Sequence, residues 1–406
     1  MGAEGVKWVS NATSPTLTRY HGAPTANVLY SPATQAAATS YFDALAPWGL
    51  MGRISMRPDG SVASRCKVNQ TSLQVANNWG DNCYSDTNDD ANGQQKIVYI
   101  KQFCYYIDTL TANQVWYWIG QIGDTFRLSN DSVDYIFTSA DIHPAFIVDG
   151  VAKSGMFIGA YEASLNLSNV MQSVAGVTPT NQAIIQSVST ARGYANAIGS
   201  RWGFSTVQAW AATVLLFIIE YATFYSHGLC FGYGNGSANP LSTGTTTSYG
   251  NATGWTAANS SAVGMTYRGI ENLWGNEGQF LEGYNIKADY AVWLAAQSAA
   301  SGYYDCTAFD GAKYINTTLS LPPTVGDYTK SIATGTYGWG FIPATVGGGA
   351  YNTYACGTIV PATGNRVVFA TGQFAQSWTA QNPLSQWCAG TTAATASQGY
   401  RIQYLP

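Results

Sequence analysis

Charged side chains are scarce in this chain of 406 residues: they make up 10% of the sequence, with 18 Lys and Arg against 22 Asp and Glu. A surface that binds nucleic acid needs clustered positive charge, and the net charge of −4 provides none. Disorder is excluded too, because hydrophobic residues make up 46% of the chain and aromatic residues 14%. The composition indicates a folded protein with no nucleic-acid partner.

Paired cysteines and clustered histidines are also missing. No two cysteines form a C-x-x-C pair, and His21, His143 and His227 lie far apart in the sequence. The spacing of a zinc site is therefore absent, and so is a clear Cys-His nucleophile. We expect His143, beside Pro144, to be a packed turn residue. An odd number of cysteines leaves at least one free thiol, and we expect buried reduced thiols at Cys66, Cys83, Cys104, Cys230, Cys306, Cys356 and Cys388.

Long hydrophobic runs are lacking. The longest, residues 209–219, ends at Glu220 and is too short to span a bilayer. The first ten residues have no apolar core of the length that a secretory signal requires. We therefore expect neither membrane insertion nor a signal peptide.

The abundant residues are glycine, tyrosine and tryptophan, with 43, 27 and 13 copies. This composition suits a loop-rich surface that binds through aromatic rings, amides and hydroxyl groups. The length allows two or three domains and a large core. Residues 97–107 and 115–122 are rich in β-branched and aromatic residues, which predicts two strands, and Asp149-Gly150 predicts a hairpin turn.

Between these features, residues 81–93 resemble the start of a calcium loop, with Asn88, Asp90 and Asn92 followed by Gly93. The twelfth position counted from Asn88 is Tyr99, where calcium loops need a bidentate glutamate. We expect a solvated turn, with a weak structural calcium ion as the alternative and no other cofactor.

Two helices are predicted in the middle of the chain. Residues 189–198 place Ala191, Tyr194, Ala195 and Ile198 on one face, with a cap at Ser189 or Thr190. The second helix, residues 206–224 with a cap at Ser205, is so apolar that it must be buried on most sides. The glycine-, serine- and threonine-rich residues 228–262 that follow predict a long surface insertion.

Residues 267–285, YRGIENLWGNEGQFLEGYN, are the stretch around which we expect the fold to be organised. Four glycines oppose a helix, so the stretch predicts a compact turn that leads into a short strand. Its glutamates Glu271, Glu277 and Glu282 are expected to serve structure rather than glycosidase chemistry. The residues expected to form this structural turn are Tyr267, Arg268, Asn272, Trp274, Gly275 and Asn276.

Several motifs resemble segments of phage tail proteins built on the C-type lectin fold of the formylglycine-generating type. The pattern Y-R-G-I-E-N-x-x-G-N is present, although Gln279 and Phe280 stand where the enzyme-like pattern often has Trp, Glu and Trp. Further similar segments are GVKW with LTR near the start, HPAF with IGAYE, RWGFSTVQAWAA, and NRVVFATGQFAQSW with QWCAG and GYRI near the end.

The resemblance implies an α+β protein whose C-type lectin-like domain, with two helices on a small twisted antiparallel sheet, spans residues 139–406. It further implies a small β-rich domain at 41–138 and an attachment or oligomerisation segment at 1–40. In this family the loops before the last strand bind the ligand. The corresponding residues here are Gln373, Phe374, Gln376, Trp378, Gln381, Asn382 and Trp387. The alternative is that Phe374, Trp378 and Trp387 complete the core.

The function implied is that of a bacteriophage virion protein, a tail-fibre or tail-tip receptor-binding protein that contacts a glycan or protein on the host surface. Expected partners are its own copies in a homotrimer, other virion proteins and the host receptor, and the expected location is the virion. One alternative is a structural capsid or tail decoration protein with no ligand. An oxidase of the formylglycine-generating type is disfavoured, because its late cysteine pair is closely spaced whereas Cys356 and Cys388 are far apart. We therefore expect no catalytic residues.

Overall fold

The computed structural model describes most of the chain, including its last residues. The described residues are 2–9, 17–20, 41–65, 93–130, 133–185, 187–226, 229–230, 232–234, 239–249, 252–255, 264–295, 314–323, 327–347, 357–359, 364–372, 384, 386–389 and 397–406.

Both predicted helices are present, but each begins at a different cap from the one expected. Ser187 caps the first and accepts a hydrogen bond from the Thr190 amide, and Thr206 caps the second and accepts from the Ala209 amide. In both cases the cap is the last extended residue before the helix, whose side chain can reach a free amide of the first turn. The helices are α1 Gln182–Ile185, α2 Val188–Asn196 and α3 Val207–Tyr221, with 3₁₀ turns at Tyr41–Ala44, Trp48–Leu50, Ser139–Asp141, Pro144–Phe146, Thr247–Tyr249 and Gly335–Gly340.

Strands dominate the described residues. In chain order they are β1 Glu4–Val9, β2 Thr18–Arg19, β3 Gly52–Met56, β4 Val62–Arg65, β5 Gln95–Lys101, β6 Cys104–Asp108, β7 Gln114–Gly120, β8 Thr125–Arg127, β9 Asp134–Ile136, β10 Ile147–Val148, β11 Val151–Ala152, β12 Gly155–Gly159, β13 Ser164–Leu165, β14 Met171–Gln172, β15 Trp202–Phe204, β16 Gly254–Trp255, β17 Met265–Tyr267, β18 Ile270–Glu271, β19 Gly278–Ile286, β20 Ala291–Ala295, β21 Tyr314–Ser320, β22 Asp327–Ile332, β23 Pro343–Val346, β24 Gly357–Ile359, β25 Arg366–Ala370, β26 Gln386–Ala389, β27 Gln398–Gly399 and β28 Ile402–Tyr404. Together with the few helices, they make the protein a strand-rich α+β structure.

Three larger sheets organise these strands. A four-stranded sheet has the order β2-β1-β7-β6, and a six-stranded sheet has the order β15-β28-β12-β5-β3-β4. The third sheet has the order β21-β20-β19-β25-β26-β24-β22-β23, with β27 paired in parallel to β19. The six-stranded sheet joins β3 and β5 to β12, so strands from both sides of the expected domain boundary at 138/139 pair in one sheet.

The expected single strand over residues 97–107 is wrong, because the structure divides it between two sheets. β5 pairs with β3 and β12, whereas β6 pairs with β7 in the four-stranded sheet. At the break, the Gln102 amide donates to the Ser154 carbonyl, and the buried Phe103 side chain packs on Phe146. The hairpin at Asp149-Gly150 is confirmed, with both residues at positive φ between β10 and β11.

Helix α3 lies at the centre of the larger hydrophobic core. All fifteen of its residues are buried, and it packs against β1, β7 and β19. Arg19, next to β1, donates to the Ile219 and Glu220 carbonyls at the C-terminal end of α3, where the helix leaves carbonyls unpaired. The N-terminal residues described here are therefore part of this core. Among the described residues, no helix is long and apolar enough to cross a membrane.

A second hydrophobic cluster lies between α2 and the six-stranded sheet. Val188, Ala191 and Ala195 face the sheet from α2, and Phe204 and Ile402 face them from β15 and β28. The Phe204 and Tyr400 rings stack with centroids 4.7 Å apart. This cluster fixes the last strand of the chain, and with it the residues on either side of β27.

Candidate functional site

The stretch that begins at β17 and ends with β19 lies in the interior of the protein. Every residue from 264 to 286 is buried, although the stretch contains four charged side chains. The expected short strand is wrong: β19 has nine residues and lies between β20 and β25 within its sheet. Asn272 and Asn276 adopt the left-handed conformation, with φ of 50° and 62°. Asparagine adopts this conformation more readily than most residues, so the turns can be tight without glycine at every position.

Arg268 is the centre of a first buried ionic cluster. Its guanidinium pairs with Glu220 of α3 and, at 2.9 Å, with Asp43 of the first 3₁₀ turn. It also donates to the Trp48 carbonyl, and the Tyr267 hydroxyl donates to Glu220 at 2.9 Å. One cation thus joins three segments that are distant in sequence. Breaking such a buried pair leaves an uncompensated charge, which costs about 3–5 kcal/mol.

Arg401, just before β28, is the cation of a second buried cluster. Its guanidinium donates to the Gln279 side chain and to the Gly159, Glu271 and Asn272 carbonyls. These bonds tie the end of the chain to both β12 and the turn before β19. Burial lowers the pKa of Arg401 to about 10, against the attraction of nearby carboxylates, so it remains charged at neutral pH.

Glu162 is the main acceptor for the turn residues. Its carboxylate accepts from the Asn272 and Asn276 side chains and, at 2.9 Å, from the Glu277 amide. Burial raises the pKa of Glu162 to about 7, although Arg401 and these donors oppose the shift. Asn272 and Asn276 are therefore held by one carboxylate, that of Glu162, which lies outside the turn.

Trp274 and Tyr267 join the turn to α3 through their rings. The Trp274 ring lies 4.9 Å from the Phe217 ring, and its indole N–H donates to the Cys230 carbonyl at 3.0 Å. The Tyr267 ring meets Phe217 edge-on at 5.7 Å. Gly275 has φ of 83° and packs against the Gly232 backbone, where a Cβ would clash. These contacts place the expected turn residues in the core.

The expected surface insertion over residues 228–262 is partly buried where the structure describes it: Cys230, Thr243 and Thr246 are buried, whereas Asn239, Ser242 and Thr245 are exposed. The Thr246 amide and hydroxyl donate to Glu271, and the Gly244 amide donates to the other oxygen of that carboxylate. The Leu241 amide donates to Asn276. Small residues allow this segment to approach the turn closely, so part of its polar composition satisfies buried carboxylates.

Most of the expected ligand-binding residues lie outside the described residues: Gln373, Phe374, Gln376, Trp378, Gln381 and Asn382. The structure places only the backbone of Trp387, on β26 opposite Phe369 of β25. The two strands pair from Val367 to Ala370, so the chain leaves and re-enters the sheet at neighbouring positions. The Gly275 amide donates to the Thr371 carbonyl at 2.8 Å, which anchors the start of the connecting segment to the buried turn.

Other candidate sites give no reactive arrangement in the described part of the chain. The calcium-like residues Asn88, Asp90 and Asn92 lie outside it, and within it no three His, Cys, Asp or Glu side chains are grouped to hold a metal ion. His143 is fully buried and accepts a hydrogen bond from the Ala145 amide, and burial lowers its pKa to about 3. The described cysteines, Cys104, Cys230 and Cys388, are buried.

Comparison with known proteins adds no relative. No protein-family model matches the sequence, and no curated protein matches it significantly.

The sequence did not identify the partners of the turn: Glu162, Glu220, Arg401, and Arg53, which donates to the Gly269 carbonyl at 2.7 Å. One signal was present, because Glu220 is the single charge of an apolar helix, and a buried charge requires a partner. The low overall charge was a second signal, since the few charged residues of such a chain are available for interior roles. Neither signal identifies which cation meets which carboxylate.

Proposed function

We propose that this protein is a virion protein of a bacteriophage, with a lectin-like fold whose C-terminal loops contact a receptor on the host surface. The proposal rests mainly on how residues 371–398 are attached to the rest of the protein. Residues 371–385 connect the paired strands β25 and β26, residues 390–397 connect β26 to β27, and the Thr371 carbonyl accepts a hydrogen bond from the buried turn. A rigid base of this kind allows a loop to vary in sequence without disturbing the core.

The chemistry of the loop residues supports a glycan or protein receptor. Gln373, Gln376, Gln381 and Asn382 supply amides, and Phe374 and Trp378 supply aromatic rings. Aromatic rings give large contact area at low entropic cost, and amides give directional hydrogen bonds. With few charges in the chain, binding should depend only weakly on salt.

The burial of the turn favours binding over catalysis. Glu271, Glu277 and Glu282 are each at most 2% exposed, and each carboxylate is bonded inside the protein. A glycosidase needs two carboxyl groups that flank a bound sugar. We therefore assign these glutamates to the interior. The alternative, a decoration protein without a ligand, would share the same interior and differ only in what the loops contact.

The test is to measure adsorption to host cells after Gln376→Ala and Trp378→Ala are combined. We expect adsorption to fall while the melting temperature stays the same. A matched control combines Leu167→Ala and Ile184→Ala, because these two large apolar side chains are exposed outside the loops, and it should adsorb normally. Normal adsorption of the folded loop variant would exclude these loops as the binding face and favour the decoration protein.

A further inference from the structure

Glu277 is a buried carboxyl group whose surroundings do not compensate a negative charge. It is completely buried, and its Oε1 accepts from the Asn181 side chain at 3.2 Å. Among the residues that the structure describes, no group donates a hydrogen bond to its Oε2. A polar atom with no partner in the interior is costly if the group is charged, and much less so if it is neutral.

A second carboxyl group lies close to Glu277. Glu162 accepts the hydrogen bond of the Glu277 main-chain amide, so the two acids occupy the same part of the interior. Arg401 attracts Glu162, and no lysine or arginine of the described chain forms an ion pair with Glu277. Two like charges without two cations cannot both persist in a buried site.

Gly399 restricts the space at the same carboxyl group. A Cβ at this residue would lie 2.3 Å from Oε2 of Glu277, so the backbone of β27 lies directly against that oxygen. Asn181 bridges to Gly399 as well as binding Glu277. The polar atoms around Glu277 thus come from the turn, from the residue that precedes α1, and from β27.

We propose that Glu277 is a proton-binding site, and that its neutral carboxyl group at physiological pH holds β27 against β19. The groups that face it are Glu162, with Arg401 behind that carboxylate, and the amide of Asn181. The directions of the pKa values agree, because burial, and then the charge of Glu162, raise the pKa of Glu277 well above its ordinary value.

The protonation state of Glu277 affects β27, the strand that follows the predicted binding loops. β27 pairs with β19 through Gly278 and Gln279, the two residues after Glu277, and the Gly278 amide donates to the Ser397 carbonyl. Loss of the proton at alkaline pH would place two negative charges beside this short pairing and weaken it. Alkaline pH should therefore weaken the pairing of β27 with β19, whatever ligand the loops bind.

The sign of the pH dependence follows from linkage. The unfolded glutamate releases its proton at about pH 4.3, whereas the folded one retains it, so the folded state binds one more proton as pH rises above that value. The unfolding constant should therefore increase about tenfold per pH unit from this group alone. Glu277→Gln copies the neutral form and should remove that component.

The experiment compares denaturant unfolding of wild type and Glu277→Gln from pH 5 to pH 7. We expect the ratio of the wild-type unfolding constant to that of the variant to increase about tenfold per pH unit. Glu282→Gln is the matched control from the adjoining strand β19, because Glu282 is buried but ion-paired with Arg192, and its ratio should not show this increase. Equal pH dependence in wild type and Glu277→Gln would overturn the proposal.

A second measurement covers the case in which Glu277→Gln does not fold. At pH 7, infrared spectra of wild-type protein labelled with ¹³C at glutamate carboxyl groups should show more protonated carboxylic acid than Glu162, whose pKa is about 7, would contribute alone. That band should disappear as the pH is raised, together with faster amide exchange at Gly278. Absence of this excess of protonated carboxylic acid at pH 7 would overturn the proposal.

Discussion

Replacing Trp274 with alanine should destabilise the whole protein. Its ring is completely buried between the turn and α3, 4.9 Å from Phe217, and its N–H donates to the Cys230 carbonyl. Removing a buried aromatic side chain of this size costs about 3–5 kcal/mol. This loss is a large part of the stability of a typical domain, so Trp274→Ala should unfold at a much lower denaturant concentration than wild type.

Trp274→Phe separates packing from hydrogen bonding. The variant keeps a ring beside Phe217 but leaves the buried Cys230 carbonyl without its donor, which should cost about 1–3 kcal/mol. Urea unfolding followed by circular dichroism gives both values. The reasoning is refuted if Trp274→Ala unfolds at the wild-type midpoint, and a variant that is stable but fails to bind host cells would show that Trp274 serves binding instead.

Three further expectations concern a buried ion pair, a buried histidine and the salt dependence of adsorption. Arg268→Ala should cost about 3–5 kcal/mol in urea unfolding, because Glu220 and Asp43 lose their cation, and an unchanged midpoint would show that the pairs contribute nothing. Acid should destabilise the protein through His143, because its pKa is about 3 in the folded state and about 6.5 in the unfolded state. Between these values the unfolded state binds a proton that the folded state does not. The stability is therefore complete above pH 6.5 and is lost as pH falls toward 3. His143→Asn keeps an acceptor for the Ala145 amide and should flatten this acid limb, whereas an identical pH profile would contradict the assignment. Raising salt to about 1 M should weaken host-cell adsorption only slightly, and a steep loss would indicate a charged interface.

Local patterns predicted several elements. The hairpin at Asp149-Gly150 is present, and α3 is buried on all sides as its composition required. The composition of Trp339, Phe341 and Ile342 favours a strand, but Gly335–Gly340 forms a 3₁₀ turn that packs on α3. Aromatic and apolar residues fill a core in either conformation, so composition alone does not decide between them.

The interior of the candidate site could not be predicted in the same way. Arg401 meets the Gly159 and Glu271 carbonyls from sequence separations of 242 and 130 residues, and no local pattern encodes such a contact. The glycine- and threonine-rich residues 241–246 read as a solvent-exposed loop because they are polar, yet they bond to buried Asn276 and Glu271. Polar composition indicates exposure only when no buried group requires a partner.

The most direct test of the proposed function is to locate residues 373–383 on an intact phage particle. An antibody raised against this segment, carrying a gold label, can be placed by electron microscopy, with an antibody against residues 66–80 as a reference for the rest of the chain. Our account predicts label at the end of the tail and loss of host adsorption when the antibody is bound. Label distributed over the capsid, with adsorption intact, would contradict it.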